Sequence, residues 1–356
     1  MRIPWAIPNI TPDDVEYVRD ILDSGWYTMG KVVKLLEDNM AQYVGRNHAI
    51  AVNNGTSALE VLLRTLDISH GDEVIVPAYS YIASATSLNL LGATPVFVDV
   101  DKSMTIDPTK IEEAITAKTK AVMAIDLCGC PCDYDALIKT CQEHDIKLLV
   151  DGAQSLGSTY RGKSCISYGT MATTSFHAAK ILTTVEGGMV FTNDNGLAEK
   201  ARAIRSHGES EVKYVHSYLG SNFRMTDLLA GFAIPQLARY EKTLEERGKK
   251  VALYKELLES IVDTVEIRKE GRSCNFIFPI FHEQRDELIE YLRKDGIDTR
   301  KIYPMTIPQQ PIYRNPKKFP MAEWFCQRTV SLPLYADLTS GQIEFVCEKI
   351  KEFCTP

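Results

Sequence analysis

The stretch SFHAAKILTTVEGGMVFTND, residues 175–194, contains one lysine, Lys180. A lysine in a sheltered site can have a lowered pKa and can attack a carbonyl group as an amine nucleophile. A lone lysine is more often a solvated surface side chain that does no chemistry. The chemistry open to Lys180 therefore depends on the groups that the fold brings near it.

A carboxylate precedes this lysine in the chain. Asp151 ends the apolar run KLLVD, and Gln154 follows three residues later. A carboxylate at the end of a strand can be buried and paired with a cation, and the glutamine amide can donate a hydrogen bond. The alternative is an ordinary aspartate that caps a helix.

Two other turns follow strand-like runs. In NNGTSAL, Gly55 allows a close backbone approach, and Thr56 and Ser57 begin a helix whose free N–H groups suit a phosphate. The same residues suit a capped helix start equally well. In PAYSYIASA, Tyr81 can offer its ring to a planar ligand or can be a packed aromatic.

These four features complement one another. They supply a phosphate cradle, a ring for stacking, a carboxylate for a ring nitrogen and an amine for an aldehyde. Pyridoxal 5′-phosphate (PLP) needs this set of partners. The residues therefore predict a PLP site in which Lys180 is the reactive amine.

The elements that must position these groups alternate between strand and helix. From residue 48 to about residue 195, helical patterns separate the continuous apolar runs AIAV, EVIVP, PVFVD, AVMAID and KLLVD. Such runs are typical of parallel strands that are covered on both faces. We predict a doubly wound α/β domain that binds ligands at the carboxyl ends of its strands.

The pattern changes after residue 223. A long, charged helical stretch follows, in which Pro235 is expected to kink or break the helix. Strands such as NFIFPIF and two further helical patterns come next. We predict a large domain over residues 1–244, including the N-terminal segment, and a smaller α+β domain over residues 245–356.

The composition narrows the class of protein. The net charge of −7, without a basic run interleaved with aromatics, argues against nucleic acid as a partner. The first residues do not read as a secretory signal, and no apolar run is long enough to cross a membrane. The nine cysteines, an odd number, favour a reducing, cytoplasmic location.

One cysteine cluster, CGCPC, places Cys128, Cys130 and Cys132 close together. The alternatives are a metal or redox site and a group of free thiols. The C-x-C-x-C spacing differs from the C-x-x-C pairs of zinc sites. We therefore expect free thiols at the end of a strand and no metal site.

The sequence also resembles a known family over nearly its whole length. The matching motifs include SGWYTMG, NNGTSALE, GDEVIVPAYSYIASA, DGAQSLGSTYRGK, SFHAAKILTTVEGGMVFTND, NFRMTDLLAGFAIPQL and VSLPLYADLT. On these motifs the chain is similar to the DegT/DnrJ/EryC1/StrS sugar aminotransferases, a branch of the fold-type I PLP enzymes. The resemblance implies an aspartate-aminotransferase-like α/β fold, with a mostly parallel central sheet flanked by helices and a smaller C-terminal α+β domain.

The resemblance also implies a role for each site residue. Lys180 would form the internal aldimine with PLP, Asp151 would pair with the pyridine nitrogen, and Gln154 would pair with the ring hydroxyl. Tyr81 would stack on the ring. Thr56, Ser57 and Ser175 would hold the phosphate, with Gly55 at the turn.

The implied partner is a second copy of the chain. Asn222, in SNFRM, would reach the phosphate of the neighbouring subunit, so the active site would be shared across a homodimer. The implied reaction moves an amino group from glutamate or glutamine to a keto sugar, with a nucleotide-linked sugar as the first expectation. Two half-reactions at one site predict ping-pong kinetics. The resemblance also implies a pathway of amino-sugar biosynthesis.

Two positions depart from the family pattern. DLCGC, from Asp126, stands where many members have a His-Leu-Tyr-Gly-Gln-like stretch, and Pro308 stands where nucleotide-sugar members often have histidine. No histidine lies between residues 283 and 356. The change at Pro308 keeps open an acceptor without a nucleotide, such as a keto-cyclitol or a sugar phosphate.

Two other activities are possible on related sequences. Sugar dehydratases of this lineage replace the lysine with histidine, and Lys180 argues against that activity. Loss of Lys180 or Asp151 would have favoured a regulatory protein without catalysis, but both residues are present. His177, beside the lysine motif, has no assigned role.

Overall fold

The computed structural model describes residues 2–209 and 211–355. The α-helices are α1 (Pro12–Ser24), α2 (Lys31–Val44), α3 (Gly55–Thr65), α4 (Ala83–Asn89), α5 (Tyr134–Glu143), α6 (Asn195–Arg205), α7 (Asp227–Ala238), α8 (Tyr240–Leu257), α9 (Arg285–Lys294), α10 (Pro320–Arg328) and α11 (Ser340–Cys354). The β-strands are β1 (His48–Val52), β2 (Glu73–Pro77), β3 (Thr94–Val98), β4 (Thr119–Ile125), β5 (Lys147–Asp151), β6 (Thr159–Tyr160), β7 (Lys163–Ser164), β8 (Met171–Ser175), β9 (Gly188–Thr192), β10 (Asp263–Thr264), β11 (Gly271–Arg272), β12 (Phe278–Phe281) and β13 (Thr329–Leu332).

Within the described residues, the central sheet contains seven strands in the order β1-β9-β8-β5-β4-β2-β3. Pairing is parallel from β3 through β8, and β9 is antiparallel to both of its neighbours. Val74, Ile75 and Val76 on β2 are all fully buried because helices cover both faces. The predicted mostly parallel α/β sheet is confirmed. Strand β9 reverses direction because residues 176–187 contain no crossover helix.

The helical stretch after residue 223 forms two helices. Pro235 lies inside α7, which continues to Ala238. The break falls instead at Arg239, whose backbone is not helical (φ −104°, ψ 9°). The Arg239 guanidinium donates to Asp14 Oδ1 of α1 at 2.8 Å, which holds this corner against the N-terminal helix.

The buried apolar side chains form two clusters. One surrounds the central sheet and includes Leu244 of α8, whereas the other contains Val251 of the same helix together with β12, β13, α9 and α11. Ile3 belongs to the second cluster, and its backbone N–H donates to Gly296 O at 2.9 Å. The division at residue 244 stays a prediction, since α8 runs through it and Ile3, near the N-terminus, packs in the C-terminal cluster.

The C-terminal part of the chain also returns to the central sheet. Strand β11 pairs with β6, which follows β5. Phe276 and Ile307 pack in the cluster that surrounds the central sheet. These returns bring residues after 270 over the carboxyl ends of the strands. Among the residues described, no helix has both the length and the apolar character needed to span a membrane.

Candidate active site

The carboxyl ends of the central strands open into a cavity of about 730 Å³. The predicted site residues that line it are Gly55, Thr56, Ser57, Tyr81, Asp151, Gln154, Ser175 and Lys180. They meet because β5 and β8 are parallel neighbours and the other turns leave the same edge of the sheet. Asn222, the ninth predicted residue, is exposed and does not line this cavity.

Lys180 lies in the turn that joins β8 to β9. Its backbone N–H donates to His177 O at 2.8 Å, and its Nζ lies 4.5 Å from the centre of the Phe276 ring. Burial lowers the pKa of the Lys180 amine to about 8, and the neighbouring Asp151 carboxylate opposes that shift. A larger share of this amine is therefore neutral near pH 7 than for a surface lysine, as a nucleophile or a general base requires.

Asp151 ends β5 and is 5% exposed. Its carboxylate accepts hydrogen bonds from Ser84 Oγ at 2.8 Å and from Ala153 N at 3.1 Å. Burial raises the pKa of the Asp151 carboxyl, and these two donors and Lys180 oppose the shift. Among the described residues no cation forms an ion pair with Asp151, and a turn rather than a helix follows it. The capping alternative is therefore wrong, and a cationic ligand would complete the site.

Gln154 has a defined amide orientation. Its Oε1 accepts a hydrogen bond from Cys128 N at 2.8 Å, and its Nε2 donates to the Tyr303 hydroxyl at 3.2 Å. The amide oxygen is therefore occupied by the backbone, and the amide nitrogen faces the cavity as a donor. An oxygen of a ligand is the expected partner of Nε2.

The first turn of α3 forms one end of the cavity. Asn54 caps this helix, because its Oδ1 accepts from Ser57 N at 2.8 Å. The hydroxyls of Thr56 and Ser57 are therefore not needed as caps. The remaining N–H groups of the first turn have no partner inside the helix, so an anion is favoured here.

Two glycines allow this turn to approach the strands closely. A Cβ on Gly55 would lie 2.9 Å from Ser175 Cβ, and a Cβ on Gly188 would lie 2.4 Å from Asn54 O. The Glu-Gly-Gly segment, residues 186–188, turns the chain into β9 and also has a packing role. It lets the start of β9 pack directly against the helix start, which brings Ser175 beside the anion-binding end.

Tyr81 is 57% exposed, so it is not a packed core aromatic. Its ring lies 5.9 Å from the ring of Tyr303, centre to centre, with an interplanar angle of 42°. The ring therefore has a face open to the cavity. A planar ligand can stack on it.

His177, which had no assigned role, lies on the cavity with its side chain 53% exposed. Its Nδ1 accepts from Ala179 N at 3.2 Å, and its Nε2 lies 3.7 Å from Glu186 Oε1. The side chain is therefore oriented by its own turn and faces another residue of the cavity. It is not a packed neighbour in the core.

Several residues of the cavity were not predicted. Ser84 supplies the side-chain hydrogen bond to Asp151, and Trp5, Phe276 and Tyr303 line the cavity from distant parts of the chain. Ser84 lies three residues after Tyr81, so the same turn could have suggested it. No local pattern identifies the other three, because only packing between distant parts of the chain brings them here.

Cys128, Cys130 and Cys132 follow β4 and are buried. Burial raises the pKa of all three thiols, so they stay protonated. Over residues 2–209 and 211–355, no three histidine, cysteine or acidic side chains are placed to hold a metal ion together. The contribution of this segment to the site is the backbone N–H of Cys128, which orients Gln154.

The cavity fits the cofactor that the sequence predicts. Asp151 is buried without a cation and suits a protonated ring nitrogen. The start of α3 with Ser175 suits a phosphate, Tyr81 suits a ring face, and the Lys180 amine suits an aldehyde. Each of these four features of PLP therefore has a matching group in the cavity.

The comparisons with known proteins identify the family and support the fold. The model of the DegT/DnrJ/EryC1/StrS aminotransferase family matches residues 8–351. A pleiotropic regulatory protein of Geobacillus stearothermophilus is 36% identical, over 97% of this chain and 95% of its own length. The GDP-perosamine synthase of Caulobacter vibrioides is 36% identical, over 97% of this chain and 96% of its own length. The PLP form of Spr1654 from Streptococcus pneumoniae has a TM-score of 0.95 at 30% identity, covering 99% of each chain.

Proposed function

The chain belongs to the DegT/DnrJ/EryC1/StrS aminotransferase family, and from that premise we propose that it uses PLP to transfer an amino group from glutamate or glutamine to a keto sugar. The observation that carries this proposal is the meeting of Lys180, Asp151 and the start of α3 in one cavity. An amine with a lowered pKa, a buried carboxylate without a cation and an anion site match three separate parts of PLP.

PLP, when bound, supplies an electron sink for breaking the Cα–H bond of an amino acid. The Asp151 carboxylate would hold a proton on the ring nitrogen, which is the condition for that sink. Gln154 would donate to the ring hydroxyl, and Tyr81 would lie on the ring. Lys180 would hold the aldehyde carbon. The phosphate would be held by the start of α3 and by the hydroxyls of Thr56, Ser57 and Ser175.

Lys180 has a second task once the amino donor has displaced it. Its free amine can take the proton from the donor Cα and return it to the cofactor carbon, acting as general base and then as general acid. A pKa of about 8 suits both roles near neutral pH. The keto substrate then enters the same cavity for the reverse sequence, so the two substrates are expected to show ping-pong kinetics.

The acceptor is proposed to be a keto sugar because the relatives include a UDP-2-acetamido-2-deoxy-3-oxo-D-glucuronate aminotransferase of Pseudomonas aeruginosa. A nucleotide-linked keto sugar is the leading candidate, and a keto-cyclitol or sugar phosphate is the alternative that Pro308 keeps open. Pro308 is buried and does not line the cavity, so it offers no side chain to a substrate there. The cytoplasmic location stays a prediction from the cysteine content.

We also infer a homodimer with shared active sites. Asn222 is exposed and lies outside the cavity of its own chain. Large apolar side chains are exposed nearby in the chain: Tyr214 is 76% exposed and Leu219 is 82% exposed. Trp26 is also 57% exposed. An exposed surface that groups such side chains together is typical of a face that another subunit covers.

Mixing two inactive variants tests the shared site. In the proposed dimer each site uses Lys180 of one subunit and Asn222 of the other. A Lys180→Ala homodimer would therefore lack the lysine at both sites, and an Asn222→Ala homodimer would lack the asparagine at both sites. A mixed dimer would have one complete site, so random exchange should restore about one quarter of the wild-type activity. Each variant incubated with itself is the control. If the mixture stays as inactive as its components, Asn222 does not serve the partner's site.

An absorbance spectrum tests the cofactor and the reaction. The purified protein mixed with PLP should develop a visible band that disappears on addition of glutamate, and Lys180→Ala should neither form the band nor transaminate. The rival proposal is a regulatory protein without catalysis, since one relative is a pleiotropic regulatory protein. A band that forms but never responds to any amino donor would favour that rival. An active Lys180→Ala variant would overturn the assigned role of the lysine.

The acceptor is identified by the second half-reaction. The enzyme is first converted with glutamate, and keto sugars with and without a nucleotide are then added. The compound that restores the visible band in one turnover is the acceptor class. A nucleotide-linked sugar and its free sugar counterpart form the matched pair that decides between the two candidates.

A further inference from the structure

Tyr303 reaches the cavity from the C-terminal part of the chain. Its hydroxyl accepts a hydrogen bond from Gln154 Nε2 at 3.2 Å. Its ring lies against Tyr81 and against Tyr79, at 5.9 Å and 6.3 Å between ring centres. A phenol thus stands beside the amide that is proposed to bind the ring hydroxyl of PLP.

The position of Tyr303 is set by Tyr79, which lies two residues before Tyr81. The Tyr79 hydroxyl donates to Ile302 O, and it accepts from Tyr303 N at 3.0 Å. Tyr79 is fully buried and stacks on Phe325 at 5.7 Å between ring centres. One buried hydroxyl therefore bonds both the C=O and the N–H of the 302–303 peptide, so the Tyr303 phenol is placed by a rigid core side chain.

The proton of the Tyr303 hydroxyl remains available to a ligand. Since the Tyr303 oxygen accepts from Gln154, its own O–H points elsewhere, and in the described part of the chain it donates to no acceptor. Burial raises the pKa of the phenol, so the group stays protonated as a donor. The titratable groups that face it are Cys128, Asp151 and Tyr81.

We propose that Tyr303 and Gln154 form a two-donor site for the ring hydroxyl oxygen of PLP. This inference rests on the proposed function. Gln154 Nε2 has a second hydrogen besides the one given to Tyr303, and the two donor atoms lie 3.2 Å apart, so one oxygen can accept from both. Tyr303 is thereby a cofactor-tuning residue, held in place by Tyr79.

The expected effect follows from charge. A hydrogen-bond donor to the ring oxygen of PLP stabilises the anionic form of that oxygen. It therefore lowers the pKa of the conjugated cofactor group that contains the oxygen. Removing the Tyr303 hydroxyl should therefore raise the pH midpoint of the visible absorbance change of the holoenzyme. A rise of about one to two units is expected from the loss of one hydrogen bond to a charged group.

The test uses Tyr303→Phe, which keeps the ring. PLP is added to the apoprotein, the dissociation constant is measured, and the absorbance of the holoenzyme is titrated with pH. The variant should show the raised midpoint and PLP binding that is about five- to tenfold weaker. The control is Tyr313→Phe, because Tyr313 lies in the same segment but donates to Asn89 Oδ1 at 2.6 Å, outside the cavity. It should leave both quantities unchanged.

Each outcome decides the question. An unchanged midpoint in Tyr303→Phe, including a variant whose only defect is a higher KM for the keto acceptor, overturns the inference. A wild-type protein that fails to bind PLP overturns the proposed function as well. Should Tyr303→Phe fail to fold, Tyr79→Phe replaces it, since it keeps the Tyr303 hydroxyl and removes the hydroxyl that anchors the 302–303 peptide. A smaller shift in the same direction is expected there, and no shift overturns the inference.

Discussion

Two carboxylates stand side by side at the ends of neighbouring strands. Asp126 directly follows β4 and Asp151 ends β5, and Asp126 N donates to Asp151 O at 3.4 Å. Both are buried, and burial raises the pKa of both carboxyl groups. They differ in what surrounds them.

The protein itself supplies the hydrogen-bond donors to the Asp126 carboxylate. It accepts hydrogen bonds from Tyr134 Oη at 2.7 Å, from Ser155 Oγ at 2.8 Å and from Cys132 N at 2.9 Å. Asp151 has one side-chain donor, Ser84, and opens onto the cavity. A buried carboxylate with a full set of donors holds the fold together, whereas one with an incomplete set is free to bind a ligand.

Asp151→Asn should produce the largest change, and the change should be in activity. Without the carboxylate the ring nitrogen loses its anionic partner, so transamination should fall on the order of 10²- to 10³-fold. The apoprotein should unfold at the same free energy as wild type or at a higher one, because a buried carboxylate that forms no ion pair has been removed. Single-turnover kinetics with glutamate and denaturant unfolding measure the two quantities. A variant that loses stability and keeps its activity would reverse the assignment of the two carboxylates.

Asp126→Ala should show the opposite pattern. Three donors lose their acceptor at once, so the free energy of unfolding should fall by about 3–5 kcal/mol. Activity per folded molecule should fall far less than in Asp151→Asn. Urea unfolding followed by circular dichroism gives the stability, and Asp126→Asn, which keeps one acceptor oxygen, should lose less. A stable Asp126→Ala protein would mean that the loop after β4 does not depend on this carboxylate.

The pH dependence of the chemical modification of Lys180 distinguishes the roles of the two carboxylates, and it does not require the enzymatic reaction. In the apoprotein, modification of Lys180 by an amine reagent should rise with pH around a midpoint of about 8, because burial lowers the pKa of the amine. Asp151→Asn removes a charge that favours the protonated amine, so the midpoint should move lower. Asp126→Asn should leave it in place. Peptide mass spectrometry follows the modified lysine, and a midpoint near that of a surface lysine would contradict the sheltered site.

Ser84→Ala should have the smallest effect. It removes the one side-chain hydrogen bond to Asp151, so PLP binding should weaken about fivefold, the cost of one hydrogen bond to a charged group partly replaced by water. Ser87→Ala is the matched control, because Ser87 lies on the same helix, is fully buried and has no hydrogen-bond partner among the described residues. Equal PLP affinities for the two variants would show that Ser84 does not support Asp151.

Much of the site could be predicted because strand ends are local signals. Asp151 and Tyr81 each follow a short apolar run, and parallel strands bring such positions to one edge. The prediction for the start of α3 remained divided between a cap and a phosphate site, and the structure identifies Asn54 as the cap. The helix break was predicted at Pro235, which lies inside α7, but the structure places it at Arg239. The sequence does not show where two packed helices separate.

The chemical inventory was thus readable from the order of residues: a lysine, a carboxylate, an aromatic and a helix start, each at the end of an apolar run. Contacts between distant parts of the chain decided the rest. Phe276 and Tyr303 are about 100 residues or more beyond Lys180, and only the packing of the C-terminal chain on the sheet brings them to the cavity. Asp126 and Asp151 are the same residue type at equivalent strand ends. Their difference lies in which donors the folded chain places around them, and no local pattern encodes that.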